Sequence, residues 1–447
     1  MLDRELTHRA HFWLAGLALL LAGCAARGMQ MQESPWLRTL ERKSGLIAYV
    51  GMDANLYTIN QAGDKQHLLA EDGELAIAIG GAIGVNPYTR PFAWSPDGTE
   101  LAYIEYSEVA WLIKVSDAQG ETQRELLAVD NELPRFLGWW PDGNALSLLT
   151  QVDPAQTGGA PLFNLWLAPV GGARPTVIFS TPQIFYAPEP FGSRVVAHVT
   201  EPTEAGALDR VVLITEGNAV PRDLELSPAG FMAPAWSPDG LGLLYPMQDE
   251  QGVNQLAIAN LQGQARQIVA RFDTAIAFSW SPDGKYIAYI DSAQARMGAL
   301  GLLTVVEVST GQVVFTTPEN RVHGFFWSPD SGRIVYFTKE VAAADEQQST
   351  LLGALAIHFL DVKEGEVLDY AVDNTPFQFR PTVPFLEMLT KFDLYSRFAT
   401  IWSPNGEKIV LPMVTADGQG VIYILATSGN LAPRPIVEGV MAFWSPR

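Results

Sequence analysis

The chain has 447 residues, 48% of them hydrophobic, with a formal net charge of −20 and one cysteine. That acidity argues against a nucleic-acid partner and against a polybasic grip on anionic lipid, and a lone thiol excludes an internal disulfide. The length accommodates two or three ordinary domains, or one closed repeat fold that uses the whole chain.

The first residues carry Arg4 and Arg9, and an apolar stretch of eleven residues follows, Phe12 to Ala22. It is too short to cross a bilayer as a helix and has the layout of a secretory signal over residues 1–23. Its ending, Leu21-Ala22-Gly23-Cys24, resembles the bacterial lipobox. The resemblance implies cleavage before Cys24, lipid attachment to that residue, and an extracytoplasmic, membrane-anchored place in the bacterial cell envelope, on the periplasmic or the cell-surface side. Several acyl chains on one residue give stable anchoring where a single chain does not. Residues 24–44 read as a tether, with a short helix through Trp36, Leu37 and Leu40.

From residue 45 onward the pattern is all-β and repetitive. The phrase Trp-Ser-Pro-Asp-Gly is complete at Trp94–Gly98, Trp236–Gly240 and Trp280–Gly284. Altered copies begin at Trp139, Trp327 and Trp402, and a cut-off copy at Trp444 ends the sequence. Proline fixes φ at the first turn position, aspartate suits the next, and glycine supplies the positive φ that returns the chain, so each phrase is a hairpin between two apolar strands. Two more strand-like runs follow each hairpin, as in Leu302–Val308 and Val313–Thr316 after Trp280. Each repeat therefore supplies a four-stranded unit.

The copies are usually 42–47 residues apart, but 97 residues separate Trp139 from Trp236. A degenerate copy is expected in that gap, with Tyr186-Ala187-Pro188-Glu189 in the place of Trp-Ser-Pro-Asp. A second long gap, 75 residues from Trp327 to Trp402, holds a surplus at about 373–397. There Phe385, Met388, Leu389, Phe392 and Tyr395 share one helical face. Its expected place is against the propeller rim, with a lid on the mouth or a docking helix as alternatives. At the N-terminal end three strands lack a Trp strand, and at the C-terminal end Val440–Trp444 lacks followers. The C-terminal strand is expected to join the N-terminal three and close the ring, which removes exposed sheet edges. The expectation is one β-propeller over 45–447 with eight four-stranded blades, seven being the alternative.

These hairpins resemble the repeats of TolB-type propellers, and they are similar to the propeller domains of prolyl oligopeptidase and dipeptidyl peptidase relatives. The resemblance implies that the Trp strand is the innermost of its blade. The peptidase relatives add a hydrolase domain with a Gly-x-Ser-x-Gly elbow, and this sequence contains no such elbow; the expectation is a propeller alone.

No metal or nucleotide motif stands out, so no cofactor is expected. The repeated turn aspartates are distributed around a ring and read as turn chemistry. Some oligogalacturonate lyases with similar repeats hold a metal on clustered histidines, but His67, His198 and His358 fall on strands away from the axis, leaving His323 alone near it. The better candidates are cations just before the Trp strands: Arg90, Arg135, Arg321 and Arg397. With His323 they form a candidate ligand site at one channel mouth, suited to a carboxylate or sulfate because the guanidinium fork pairs with such groups through two bonds. Asp273 and Glu438 hold similar places in other blades. The expected function is non-catalytic binding or scaffolding of an envelope protein, a peptide or an anionic glycan. A lyase-like enzyme acting on polysaccharide and a purely structural envelope component are the alternatives.

Overall fold

The computed structural model describes residues 45–447 apart from 84–85, 87–88, 205, 218–219, 293–300, 340–352, 396–397 and 430. The expected signal sequence, Cys24, the tether and Arg397 lie outside the described residues.

Eight antiparallel blades follow one another along the chain. The Trp strands of blades 2 to 7 are Phe92–Trp94, Glu132–Trp139, Gln183–Pro188, Ala235–Trp236, Ala275–Trp280 and Val322–Trp327, each continuing into three further strands. In blade 8 the Trp strand is reduced to a bridge between Trp402 and Ile409 beside strands Lys408–Val414, Gly420–Ala426 and Arg434–Glu438. Blade 1 is composite, as expected: Met441–Trp444 pairs antiparallel with Leu46–Val50, Ile47 opposite Trp444. The Leu46 amide also donates to Ser445 Oγ at 3.0 Å, so the two distant ends of the ring share one sheet.

The repeated phrase has a separate role for each residue. The serine hydroxyl of Ser95 donates to Asp97 at 2.6 Å and accepts from the Glu100 amide at 3.0 Å; Ser281, Asp283 and Tyr286 repeat the arrangement. These bonds hold the Asp97, Asp239 and Asp330 carboxyls below their usual pKa against the opposing effect of burial, and Asp283 likewise with help from Lys285. Gly98, Gly240 and Gly284 take φ near +70°, a region that costs an L side chain about 1–2 kcal/mol. Four of the tryptophans link neighbouring blades, while the buried indole nitrogens of Trp280 and Trp327 find no partner among the described residues. The Trp139 indole donates to the Ala93 carbonyl at 2.9 Å, Trp236 to Ala187 at 2.9 Å, Trp94 to Phe443 at 3.2 Å and Trp402 to Phe326 at 3.2 Å. Trp236 and Trp444 are fully buried, which favours folding by about 2–3 kcal/mol for each large apolar side chain.

Register corrects the reading of blade 4. Each tryptophan pairs with the residue seven further on, as in Trp94 opposite Leu101 and Trp280 opposite Ile287. In blade 4 it is Pro188 that lies opposite Val195. The degenerate phrase is therefore Pro188-Glu189-Pro190-Phe191-Gly192, two residues later than the expected Tyr186 frame. Proline at the tryptophan site removes the interblade indole donor. Glu189, in the serine place, is buried and pairs with Arg194 instead, and that guanidinium lies 5.6 Å from the Trp236 ring centre. Arg333 repeats this stacking over Trp402.

Two features lie outside the repeat. Helix α1, Gly73–Ile83, joins blades 1 and 2; its glycine-rich sequence has no strong helical period, and the sequence pattern does not announce it. The surplus segment forms a small hairpin, Ala371–Val372 with Thr375–Pro376, and then helices α2, Val383–Leu389, and α3, Phe392–Tyr395.

Candidate functional site

The Trp strands surround the axis, since strands of several blades wall the same cavities. Met441 and Phe443 of blade 1, Phe92 of blade 2, Phe136 and Leu137 of blade 3, and Ala399 ahead of blade 8 share one cleft. Blades 4, 5 and 6 share a second, smaller cavity through Pro188, Ala235 and Phe278.

Helices α2 and α3 sit across the mouth between these spaces. Phe385, Met388, Leu389 and Phe392 are buried, and the Phe392 ring lies 4.6 Å from that of Phe325 in the blade 7 Trp strand. Thr382, at the start of α2, donates its hydroxyl to the Val440 carbonyl at 2.6 Å and ties the helix to blade 1. Two glycines admit this segment. A Cβ at Gly324 would lie 2.7 Å from Leu389 Cδ1, and one at Gly138 would lie 2.5 Å from the Phe398 ring. Four residues of the apolar face anticipated from the sequence, Phe385, Met388, Leu389 and Phe392, are thus buried against inner strands at the mouth.

What remains open is a cleft of about 300 Å³ on the side of blades 1 to 3, lined by Arg90, Arg135, Glu387 and Lys391 among apolar walls. Arg90, Arg135 and Phe398 all stand four residues before a repeat tryptophan, so the ring symmetry aims them at one place. At Arg135 the strand bulges between Pro134 and Phe136, which takes the residue out of the ladder.

The two arginines differ in state. Arg90 is buried and pairs with the equally buried Asp72 at 2.6 Å; its other nitrogen donates to the Ala54 carbonyl at 3.1 Å. Asp72 is placed just ahead of α1 and also accepts from the Tyr106 amide at 2.6 Å. Arg90 therefore serves as a structural cation. Arg135 is exposed, and among the described residues it bonds the neutral Gln151 oxygen, from Nε at 3.0 Å and from Nη2 at 2.5 Å, which leaves its Nη1 side for a ligand. Partial desolvation lowers its pKa from the ordinary arginine value without discharging it. Among the described residues neither Arg135 nor Lys391 has a carboxylate within salt-bridge distance.

Arg321 and His323 do not line the cleft. Arg321 is half-buried and pairs with Glu319 at 3.0 Å. His323 stands four residues before Trp327, also at a bulge, but its ring nitrogens are buried without a hydrogen-bond partner among the described residues. Burial, and then the charge of Lys339, push its pKa down to about 4, so it is neutral near pH 7. His198 of blade 4 bonds Met232, in the connection to blade 5, and Tyr245 of blade 5, and His358 bonds Thr338 and Asp369 within blade 7. No cluster of three metal-ligating side chains occurs among the described residues. Sequence reasoning missed Lys391 and Glu387, because only the apolar face of the surplus helix carried a pattern.

On the far side, Asp393 of α3 lines the smaller cavity with Tyr186, Pro234 and Phe278. Burial pushes its carboxyl up to about 6, against the opposing pull of backbone amides.

No protein-family model matches the chain, and no curated protein matches it in sequence. Among solved structures, a eukaryotic initiation factor aligns over 90% of this chain and 99% of its own at 16% identity, with a TM-score of 0.51. The dihydro-heme d1 dehydrogenase NirN aligns over 95% and 78% at 12% identity, also at 0.51. TolB from Acinetobacter baumannii aligns over 77% and 82% at 15% identity, with a TM-score of 0.33. At these identities the likeness of the first two is one of fold: the chain is similar to known β-propellers across most of its length.

Proposed function

We propose that the protein is a lipid-anchored, extracytoplasmic propeller that binds or scaffolds an envelope protein, a peptide or an anionic glycan, with the cleft beside α2 as its ligand surface. The observation that carries this reading is the pair Arg135 and Lys391, two cations without carboxylate partners among the described residues, in one apolar-walled cleft of a chain with net charge −20. Unpaired cations at a preformed apolar cleft are the arrangement expected of a site awaiting an anionic group. The anchor rests on the signal-like residues 1–23 and on Cys24. The polysaccharide-enzyme alternative would draw on His323, which is neutral and outside the cleft.

Photocrosslinking from position 387 in the native envelope, followed by mass spectrometry, tests the reading. A defined partner should be captured by the native cleft and lost when Arg135→Glu and Lys391→Glu are combined. Capture of the same partner by the double variant would show that the cleft is not the site. Separately, Cys24→Ala is expected to move the protein out of the membrane fraction; continued membrane association sinks the lipid anchor.

A further inference from the structure

The walls of the cleft narrow the class of ligand, given the binding reading above. Its cations come from different elements: Arg135 from the bulge of blade 3, and Lys391 from the turn between α2 and α3. Phe92, Phe136, Met388 and Phe398 share the lining with them and with one acid, Glu387; Phe136 and Phe398 meet edge to face at 5.1 Å. The lining offers few neutral polar groups, and one of these, the Thr89 hydroxyl, already donates to the Asn86 carbonyl at 2.8 Å. A uronate would set hydroxyls on every side against mostly aromatic and thioether surface, where beyond Glu387 and the cations that hold its carboxylate few would regain the partners they had in water. A peptide C-terminus has a different balance: one delocalised carboxylate that the guanidinium fork can take through two bonds, beside one apolar side chain that aromatic walls can cover. The volume, about 300 Å³, is at the small end for ligand pockets and suits a chain terminus better than a long segment.

We infer that the cleft captures the free C-terminal carboxylate of a protein segment ending in an apolar residue, with Arg135 and Lys391 as the carboxylate clamp. Calorimetry on the detergent-solubilised full chain tests this with N-acetyl-Ala-Ala-Phe as the free acid and as its C-terminal amide. The acid should bind at least about tenfold more tightly than the amide at low salt, and the gap should close as salt is added. Arg135→Gln and Lys391→Gln should each weaken the acid about fivefold or more and together abolish the preference. Arg135→Lys should retain part of it, and Arg321→Gln all of it. Thermal unfolding of each variant separates loss of binding from loss of fold. Equal binding of acid and amide, binding of neither, or a preference that survives the double variant overturns the inference. So does tighter binding of digalacturonate, or of decanoate, than of the peptide acid. If peptide selectivity fails while crosslinks from position 387 still depend on Arg135 and Lys391, this inference falls and the broader binding reading stands.

Discussion

The two sides of the channel mouth start from the same repeat and end differently. On the side of blades 7 and 8, α2 and α3 fill the mouth: Leu389 lies over Gly324 and Phe392 packs on Phe325. On the side of blades 2 and 3 the mouth stays open, and the same strand position supplies Arg90 and Arg135. Even those two diverge, one locked to Asp72 and the other facing solvent. Ring symmetry thus sets where a side chain points, and the non-repeating insertions, α1 with Asp72 and α2 with Lys391, decide whether its charge is neutralised or available.

The largest expected break in this contrast is Arg90→Met. It leaves the Asp72 carboxylate buried without its cation, a change that costs about 3–5 kcal/mol, and chemical denaturation should show it. A loss below about 1 kcal/mol would mean that the pair is not structural. Next is Gly324→Val, which pushes branched carbons into Leu389 and should cost about 1–3 kcal/mol while releasing α2; hydrogen exchange in 383–395 should rise. Unchanged protection there would show that the mouth accommodates the extra atoms.

Asp393→Asn sharpens the comparison from the far cavity. The folded carboxyl titrates near 6, above the ordinary value of about 3.9, so the native state holds its proton more tightly than the unfolded chain. Its contribution is full below about pH 4 and is lost as pH rises through 6, leaving the charged carboxylate a net cost at neutral pH. The Asn variant should therefore gain about 1–2 kcal/mol over wild type at pH 8 relative to pH 4, read as the difference between their stability–pH curves. His323 works in the opposite direction: its depressed pKa gives stability present above about 6.5 and lost as pH falls through 4, so only such difference curves separate the two groups. A flat Asp393 difference curve would refute the buried-acid description. The smallest stability effect is expected from Arg135→Gln, within about 0.5 kcal/mol, although it should be the most damaging to ligand binding. A large destabilisation would make Arg135 another structural cation like Arg90.

Much of this was legible in the sequence, and the exceptions have physical causes. The hairpin phrase is local chemistry: proline, aspartate and glycine act within five residues, so Trp94–Gly98 reports its turn without its neighbours. Blade 4 was misread by two residues because the frame there rests on register, Pro188 opposite Val195, and not on the indole that marks the other copies. Helix α1 escaped because its packing replaces periodicity; a Cβ at Gly73 would collide with the Asp53 carbonyl, 2.0 Å away. The arginines were found by position, but their states were not, since Asp72 is 18 residues from Arg90 in sequence and meets it only once α1 folds the connection between blades 1 and 2.

The sequence by itself determined the blade rhythm, the closing strand and the apolar face of α2, because each depends on residues a few positions apart or on a count around a ring. Tertiary structure alone decided that α2 enters the mouth, that Lys391 and Arg135 line one cleft and that Asp72 neutralises Arg90. Those outcomes depend on which side chains from separate elements arrive at the same volume, and on whether a carboxylate arrives with them.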